Sequence, residues 1–154
     1  MRRRTSAGFT LAELITVCAI IVILTGIALP IAKFALRRRK EQMLRERLQH
    51  ITFALDQYAE MRQTGKIKTP PELGQGDYPK TLEELTKPVE LLDGKKMVLL
   101  RERDLVDPMT GEKDFRTLSS SDAWDAVSTN GDNVWDVRSS SRGTALNGTR
   151  YDEW

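Results

Sequence analysis

Hydrophobic and polar positions divide the chain into three regimes. From Leu14 to Ala32 no charged residue occurs for 19 positions. As a helix rising 1.5 Å per residue, such a run is long enough to cross the hydrocarbon core of a bilayer. Further on the pattern becomes a stripe. Leu44, Leu48, Ile51, Leu55 and Tyr58 are spaced 4, 3, 4 and 3 residues apart, with Arg45, Glu46, Gln49, Asp56 and Glu60 opposite. That spacing is one face of an amphipathic helix. Arg62 falls back on the apolar face, which puts the end of close packing near it. No proline separates Pro30 from Pro70, and Gly65 follows Gln63-Thr64. One helix from Phe9 to about Gln63, on the order of 80 Å long, is therefore predicted. The stripe lasts only about two heptads, so packing under a domain of the same chain is favoured over a coiled-coil seam.

The third regime is short and punctuated. Residues 64–79 are loop by composition. Thr81–Lys87 is predicted as a short helix, with Thr81 as cap, Glu84 three residues on and Pro88 as stop. Lys96–Arg101 is the first convincing strand, and Asp107-Pro108-Met109-Thr110-Gly111 is a turn. Further strands are expected at Lys113–Leu118, Asp122–Ser128 and Asn133–Arg138, between Ser- and Gly-bearing turns. Three or four antiparallel strands over a long helix give an α+β fold.

Charge changes the picture because it is segregated. The net charge is +2, yet residues 41–154 alone sum to −5, while residues 1–40 hold eight basic residues and one acid. The basic excess flanks the apolar run, so a nucleic-acid surface is not expected. Lys95-Lys96 and Lys66/Lys68 are scattered pairs of ordinary surface type. Chemistry is sparse as well. Cys18 and His50 are single, so neither a disulfide within the chain nor a multi-histidine cluster can form. Glu83-Glu84 and Asp152-Glu153 look like solvated acids, and neither a P-loop nor a dinucleotide fingerprint is present. No enzymatic activity is expected.

The N-terminus holds the informative chemistry. Arg2, Arg3 and Arg4 precede Gly8-Phe9-Thr10-Leu11-Ala12-Glu13-Leu14, and Lys33, Arg37, Arg38, Arg39 and Lys40 close the apolar run. Ser6-Ala7-Gly8 lies before the apolar core, and no A-x-A-like triplet ends it, so ordinary signal-peptide cleavage is not expected. The basic residues on both flanks leave orientation open on the positive-inside rule. An acid at the edge of such a span, here Glu13, is costly unless it gains a partner and is a functional candidate by default. Pro30 removes a helical N–H and its ring meets the carbonyl of Gly26, so bending or local melting is expected from Gly26 to Pro30.

The stretch Gly8–Leu14, with basic residues before it and an apolar helix after it, closely resembles the class III signal of type IV pilins and type II secretion pseudopilins. The resemblance implies that a prepilin peptidase cuts Gly8–Phe9 on the cytoplasmic side and methylates Phe9 as N-methylphenylalanine. It places Glu13 at the fifth mature position and Pro30 at the helix-kinking proline. It implies a leader (1–8), a transmembrane helix and filament core (9–33), an amphipathic stalk (34–63) and a periplasmic globular domain (64–154). In a filament, Phe9 and Glu13 would pair between subunits and set their register.

The rest of the chain resembles the major type II secretion pseudopilin. The points of likeness are the loop ending in Tyr78-Pro79, the short Leu-rich helix after it, the Asp107–Gly111 turn, and the ending Gly148-Thr149-Arg150-Tyr151-Asp152-Glu153-Trp154. That likeness implies a self-polymer with other pseudopilins, a prepilin peptidase, an inner-membrane assembly platform with its ATPase, and inner-membrane lipid as partners. The chain would sit single-pass in a bacterial inner membrane, N-terminus cytoplasmic and domain periplasmic, and then in a periplasmic pseudopilus that helps export folded proteins. The alternative is a type IV pilin for adhesion, motility or DNA uptake. No cofactor is required on this reading. Relatives that bind calcium near this point make Asp132 and Asp136, with Asn130-Gly131-Asp132-Asn133, weak candidates for a structural calcium, against which Arg138 and Arg142 stand. Without a metal, Trp135, Tyr151 and Trp154 are expected to pin the tail on the sheet.

Overall fold

The computed structural model describes residues 8–68, 76–123, 126, 129 and 131–154. Helix α1 spans Leu11–Gln63 and contains Pro30. Four short strands follow, β1 (Val89–Glu90), β2 (Lys96–Met97), β3 (Arg116–Leu118) and β4 (Asp136–Arg138), with 3-10 turns at Leu82–Thr86, Glu102–Leu105 and Tyr151–Glu153. The fold is α+β, one long N-terminal helix with small antiparallel sheets. The chain forms two compact units, Met1–Arg39 and Lys40–Trp154.

In the first unit the described residues are a bare helix. Every residue from Gly8 to Arg39 is exposed, including Leu14, Ile20, Val22 and Leu29. An apolar helix without a protein partner needs lipid or other helices around it. The helix continues through Gly26 and Pro30 without interruption, so of the expected bending or local melting the melting is absent, and a bend is compatible with the continuous helix. One proline removes a single ladder bond, and the Leu, Ile and Ala residues around it keep the rest.

The second unit is built on the far half of α1. Leu44, Leu48, Ile51, Leu55 and Tyr58 are all buried, with Ala54, Ala59 and Met61 beside them. They meet Leu82, Leu85, Leu100, Leu105, Val134, Val137, Ala145 and Tyr151 in one core. Arg62 lies over the Tyr58 ring at 5.3 Å and donates to its hydroxyl at 2.8 Å, which closes the apolar face. Gly65 follows with φ +64°, and Lys66 N–H donates to the Met61 carbonyl, so α1 stops as a glycine C-cap stops.

The strands pair as two separate ribbons, β1 with β2 and β3 with β4, both antiparallel. The expected strand Lys96–Arg101 is only Lys96–Met97 because Leu99 and Leu100 give their N–H groups to the Leu85 carbonyl, which leaves no ladder to extend. Its partner β1 lies where the sequence pattern suggested no strand. Lys113–Leu118 and Asn133–Arg138 shorten to β3 and β4. Of the expected strand Asp122–Ser128, residues 124–125 and 127–128 lie outside the described residues, and Asp122, Ala123 and Ala126 are not in a strand. The helix at Leu82–Thr86 is a 3-10 turn without a side-chain cap from Thr81; instead Glu84 accepts the Lys80 N–H at 3.3 Å.

Two buried polar clusters hold the loops between the strands. Asp107, fully buried, accepts the Met109 N–H at 2.7 Å and the Ser139 hydroxyl, while Gly111 (φ +82°) donates back to the Asp107 carbonyl. The expected turn at Asp107–Gly111 is thus present, with the aspartate side chain as its centre. In the second cluster, Asn133 Oδ1 accepts the Ser119 hydroxyl at 2.8 Å and the Ser120 N–H at 3.1 Å. Gly131 lies against this cluster, where an added Cβ would stand 1.9 Å from Ser119 Oγ. Gly131→Ala is therefore expected to displace the buried Ser119 turn and to destabilise the domain by about 2–3 kcal/mol, read as a lowered midpoint in thermal unfolding.

Candidate functional site

The site suggested by the sequence lies at the start of α1. Thr10 caps the helix, its Oγ1 accepting the Glu13 N–H at 3.2 Å while its carbonyl accepts the Leu14 N–H. Thr10 and Glu13 have capping-box spacing, and an acid in the first turn also favours the helix dipole. Glu13 therefore has a local structural role beside the one its place at the edge of the apolar run suggests. Its carboxylate, however, has no hydrogen bond or ion pair among the described residues. The span's other polar side chains are self-sufficient. Thr16 donates to the Ala12 carbonyl at 2.9 Å and Thr25 to the Ile21 carbonyl at 2.8 Å. Glu13 is the polar group in this segment still in need of a partner.

Gly8 and Phe9 lie just before the helix, both exposed. A Cβ built on Gly8 meets nothing within 4 Å, and the same holds at Gly26. Packing among the described residues therefore does not ask for glycine at either place. Gly8 suits close approach to its backbone by another molecule, and Gly26 suits close approach by another helix. Cys18, expected as a small buried hydrophobe, is exposed on the isolated helix and free; burial of this thiol would have to come from the helix's surroundings.

The tail is held by a residue that the sequence pattern did not bring forward. Glu41 is buried in α1, and its Oε1 accepts both the Tyr151 hydroxyl and the Leu146 N–H, each at 2.8 Å. The signal was available: Glu41 lies three residues before Leu44, in phase with the apolar stripe. Around it, Trp154 meets Tyr151 edge-on at 5.3 Å, and the Arg45 guanidinium lies 4.3 Å from the Trp154 ring centre. Arg150 grips Asp152 through two hydrogen bonds of 2.9 and 2.6 Å, and Arg116 donates to the Asp152 carbonyl. The Arg150 hydrogen bonds hold the Asp152 carboxyl below its ordinary range. Stability from this pair is present above the usual aspartate pKa and is lost as pH falls through the lowered value. Tyr151 and Trp154 do pin the tail, but their side chains engage Glu41 and Arg45 of α1 where the sheet was expected. Trp135 is 43% exposed, because Val134 and Val137 occupy the core positions there.

Among the described residues the calcium candidates do not gather a donor set of carboxylates. Asp132 is exposed, Asp136 pairs in β4 with Leu118, and the Asn133 oxygen is committed to Ser119 and Ser120. Asn130 lies outside the described residues. Among the described residues no group of three His, Cys, Asp or Glu side chains could hold a metal. An open groove between α1 and Val98–Asp104 contains His50, whose Nδ1 stands 3.6 Å from Asp104 Oδ2. Arg47 donates to the Arg103 and Val106 carbonyls beside it. The groove brings no nucleophile to the imidazole.

Comparison with known proteins bears on the N-terminal site. No curated protein and no solved structure matches the chain. Residues 3–29 match the prokaryotic N-terminal methylation motif. The match takes in Gly8, Phe9, Glu13 and Gly26, and it marks this N-terminus as the prepilin-type signal of a type IV pilin-like, prepilin-processed protein.

Proposed function

We propose that the chain is a structural subunit of a helical filament, and specifically of a type II secretion pseudopilus. A prepilin peptidase cuts it after Gly8, Phe9 becomes the methylated N-terminus, and the domain lies on the periplasmic side. The observation that carries this reading is the methylation motif at residues 3–29, beside an acid, Glu13, whose carboxylate has no partner among the described residues. The cut creates an amine at Phe9, about one helical turn from Glu13. Between neighbouring subunits that amine and the Glu13 carboxylate form an ion pair in an apolar core, where an unpaired charge of either sign is costly. One axial register satisfies both charges and the others do not.

Pseudopilin is favoured over pilus pilin by the loop and short helix at 64–86, the Asp107–Gly111 turn and the tail. The single Cys18 also prevents the C-terminal disulfide loop of many major pilins. The subunit works as a scaffold, without catalysis or a cofactor.

Glu13→Ala tests the register pair. The variant is expected to insert in the membrane as well as wild type and to lose filament yield by a factor of ten or more, on the order of the few kcal/mol expected for breaking a buried ion pair. Wild-type filament yield from this variant would refute the pairing. Deleting the chain separates the two systems: loss of exported folded proteins supports the pseudopilus, and loss of surface pili with export intact supports the pilin.

A further inference from the structure

A second cluster of charge lies where the apolar run ends. Lys33, Arg37, Arg38, Arg39 and Lys40 occupy consecutive turns of α1, and all are exposed. At about 100° per residue, taking Lys33 as zero, they stand near 0°, 40°, 140°, 240° and 340°. No sector wider than about 100° is without a cation, so the charges form a ring around the helix. The downstream stripe from Leu44 to Tyr58 behaves differently, occupying a sector of only about 80°. A helix that packs on a protein is one-sided, as that stripe is. A ring of cations suits a surrounding that is the same in every direction.

The ring's axial position identifies that surrounding. It begins directly after the uncharged run and extends about 10 Å, enough to cover the headgroup layer of roughly 5–8 Å on one side of a bilayer. Arginine and lysine stems reach along apolar surface while their heads stay in the polar layer. No acid other than Glu13 occurs before Glu41, and Glu41 is buried, with Oε1 on Tyr151 and Leu146 and a further interaction beside these. Lys33, Arg38, Arg39 and Lys40 have no ion pair among the described residues.

We propose that this ring binds the phosphates of anionic lipid headgroups and gathers such lipids around the helix. The proposal rests on residues 14–32 spanning a bilayer. It gives a function to basic residues that the positive-inside rule would otherwise disfavour on the side of the domain. Clusters of four or more basic residues on the cytoplasmic side of a span draw anionic lipid by this attraction, and the same attraction acts on either face that carries such lipid.

The test uses the full chain in vesicles of phosphatidylcholine and phosphatidylglycerol at three to one, with Arg2, Arg3 and Arg4 unchanged throughout. Flotation first reports insertion; a chain that does not float with the vesicles overturns both the span and the ring. Spin-labelled lipids then report which headgroups are held next to the protein. Wild type is expected to hold phosphatidylglycerol about three- to tenfold in preference to phosphatidylcholine, less so in 1 M salt. The K33Q/R38Q/R39Q/K40Q variant keeps good helix formers and is expected to bring the ratio near one, while K33R/K40R keeps the wild-type ratio. Arg37, which has an interaction of its own, is left in place. Inserted wild type with equal retention of both lipids overturns the proposal, as does a preference that survives the glutamine variant. Loss of the preference on adding inorganic phosphate at constant ionic strength would assign the ring to free phosphate instead. Copy-to-copy cross-links that vanish in the glutamine variant, with no lipid preference in wild type, would assign it to the acidic surface of a second copy.

Discussion

Gly8→Val is expected to leave the chain at full length in cells that process the wild type, with mature product reduced at least a hundredfold. Nothing among the described residues opposes the substitution, since a Cβ at Gly8 meets no atom within 4 Å and the helix begins only at Leu11. Folding and insertion should therefore be unchanged, and the loss should appear in processing alone. A peptidase that closes on the backbone at the cut has no room for a branched side chain there. Intact-mass measurement of the membrane fraction reads the outcome. A product beginning at Phe9 in normal amount would refute Gly8–Phe9 as the processed bond, and with it the supply of the Phe9 amine to Glu13.

Glu41→Ala is expected to cost about 2–3 kcal/mol, because two donors lose a charged acceptor in a buried place. In a unit of this size that corresponds to a midpoint lowered by roughly 8–15 °C. The tail from Gly143 to Trp154 should loosen first, since the Tyr151 hydroxyl and Leu146 N–H tie it to Glu41 of α1. Near-ultraviolet circular dichroism, sensitive to Tyr151 and Trp154, should change before the helical signal does. Glu46→Ala, on the exposed face of the same helix, should stay within about 0.5 kcal/mol of wild type. Equal stability of the two variants would show that the buried acid contributes nothing net. Glu41→Gln keeps one acceptor oxygen and should fall between them.

Periodicity made α1 legible. The five stripe residues all reach the core, and the Gly65 stop lies where the spacing ends. The strands were less legible because composition does not reveal which backbone groups have other partners. Leu99 and Leu100 look like strand residues, yet they bond to the 3-10 turn through Leu85. Thr81 looks like a cap, yet Glu84 does that work from the other side. Trp135 looks like an anchor, but the neighbouring valines take the inward positions. Glu41 was missed for a related reason: acids are ordinarily counted as surface, and only its phase with Leu44 and Leu48 distinguishes it from Glu46. At the N-terminus the motif pointed to the candidate residues, but the partner of Glu13 is not among the described residues of its own chain.

The nakedness of the first half of α1 has a kinetic consequence. Eleven large aliphatic side chains between Leu14 and Ile31 are exposed, most by more than half. Moving them from hydrocarbon into water would cost on the order of 10 kcal/mol. At equilibrium that leaves about one copy in ten million dissolved. For the filament proposed above, an aqueous pool of free subunits would thus be too dilute to feed growth at any useful rate. Subunits of that filament would enter from the bilayer by sideways transfer between apolar surroundings, where the filament touches the membrane.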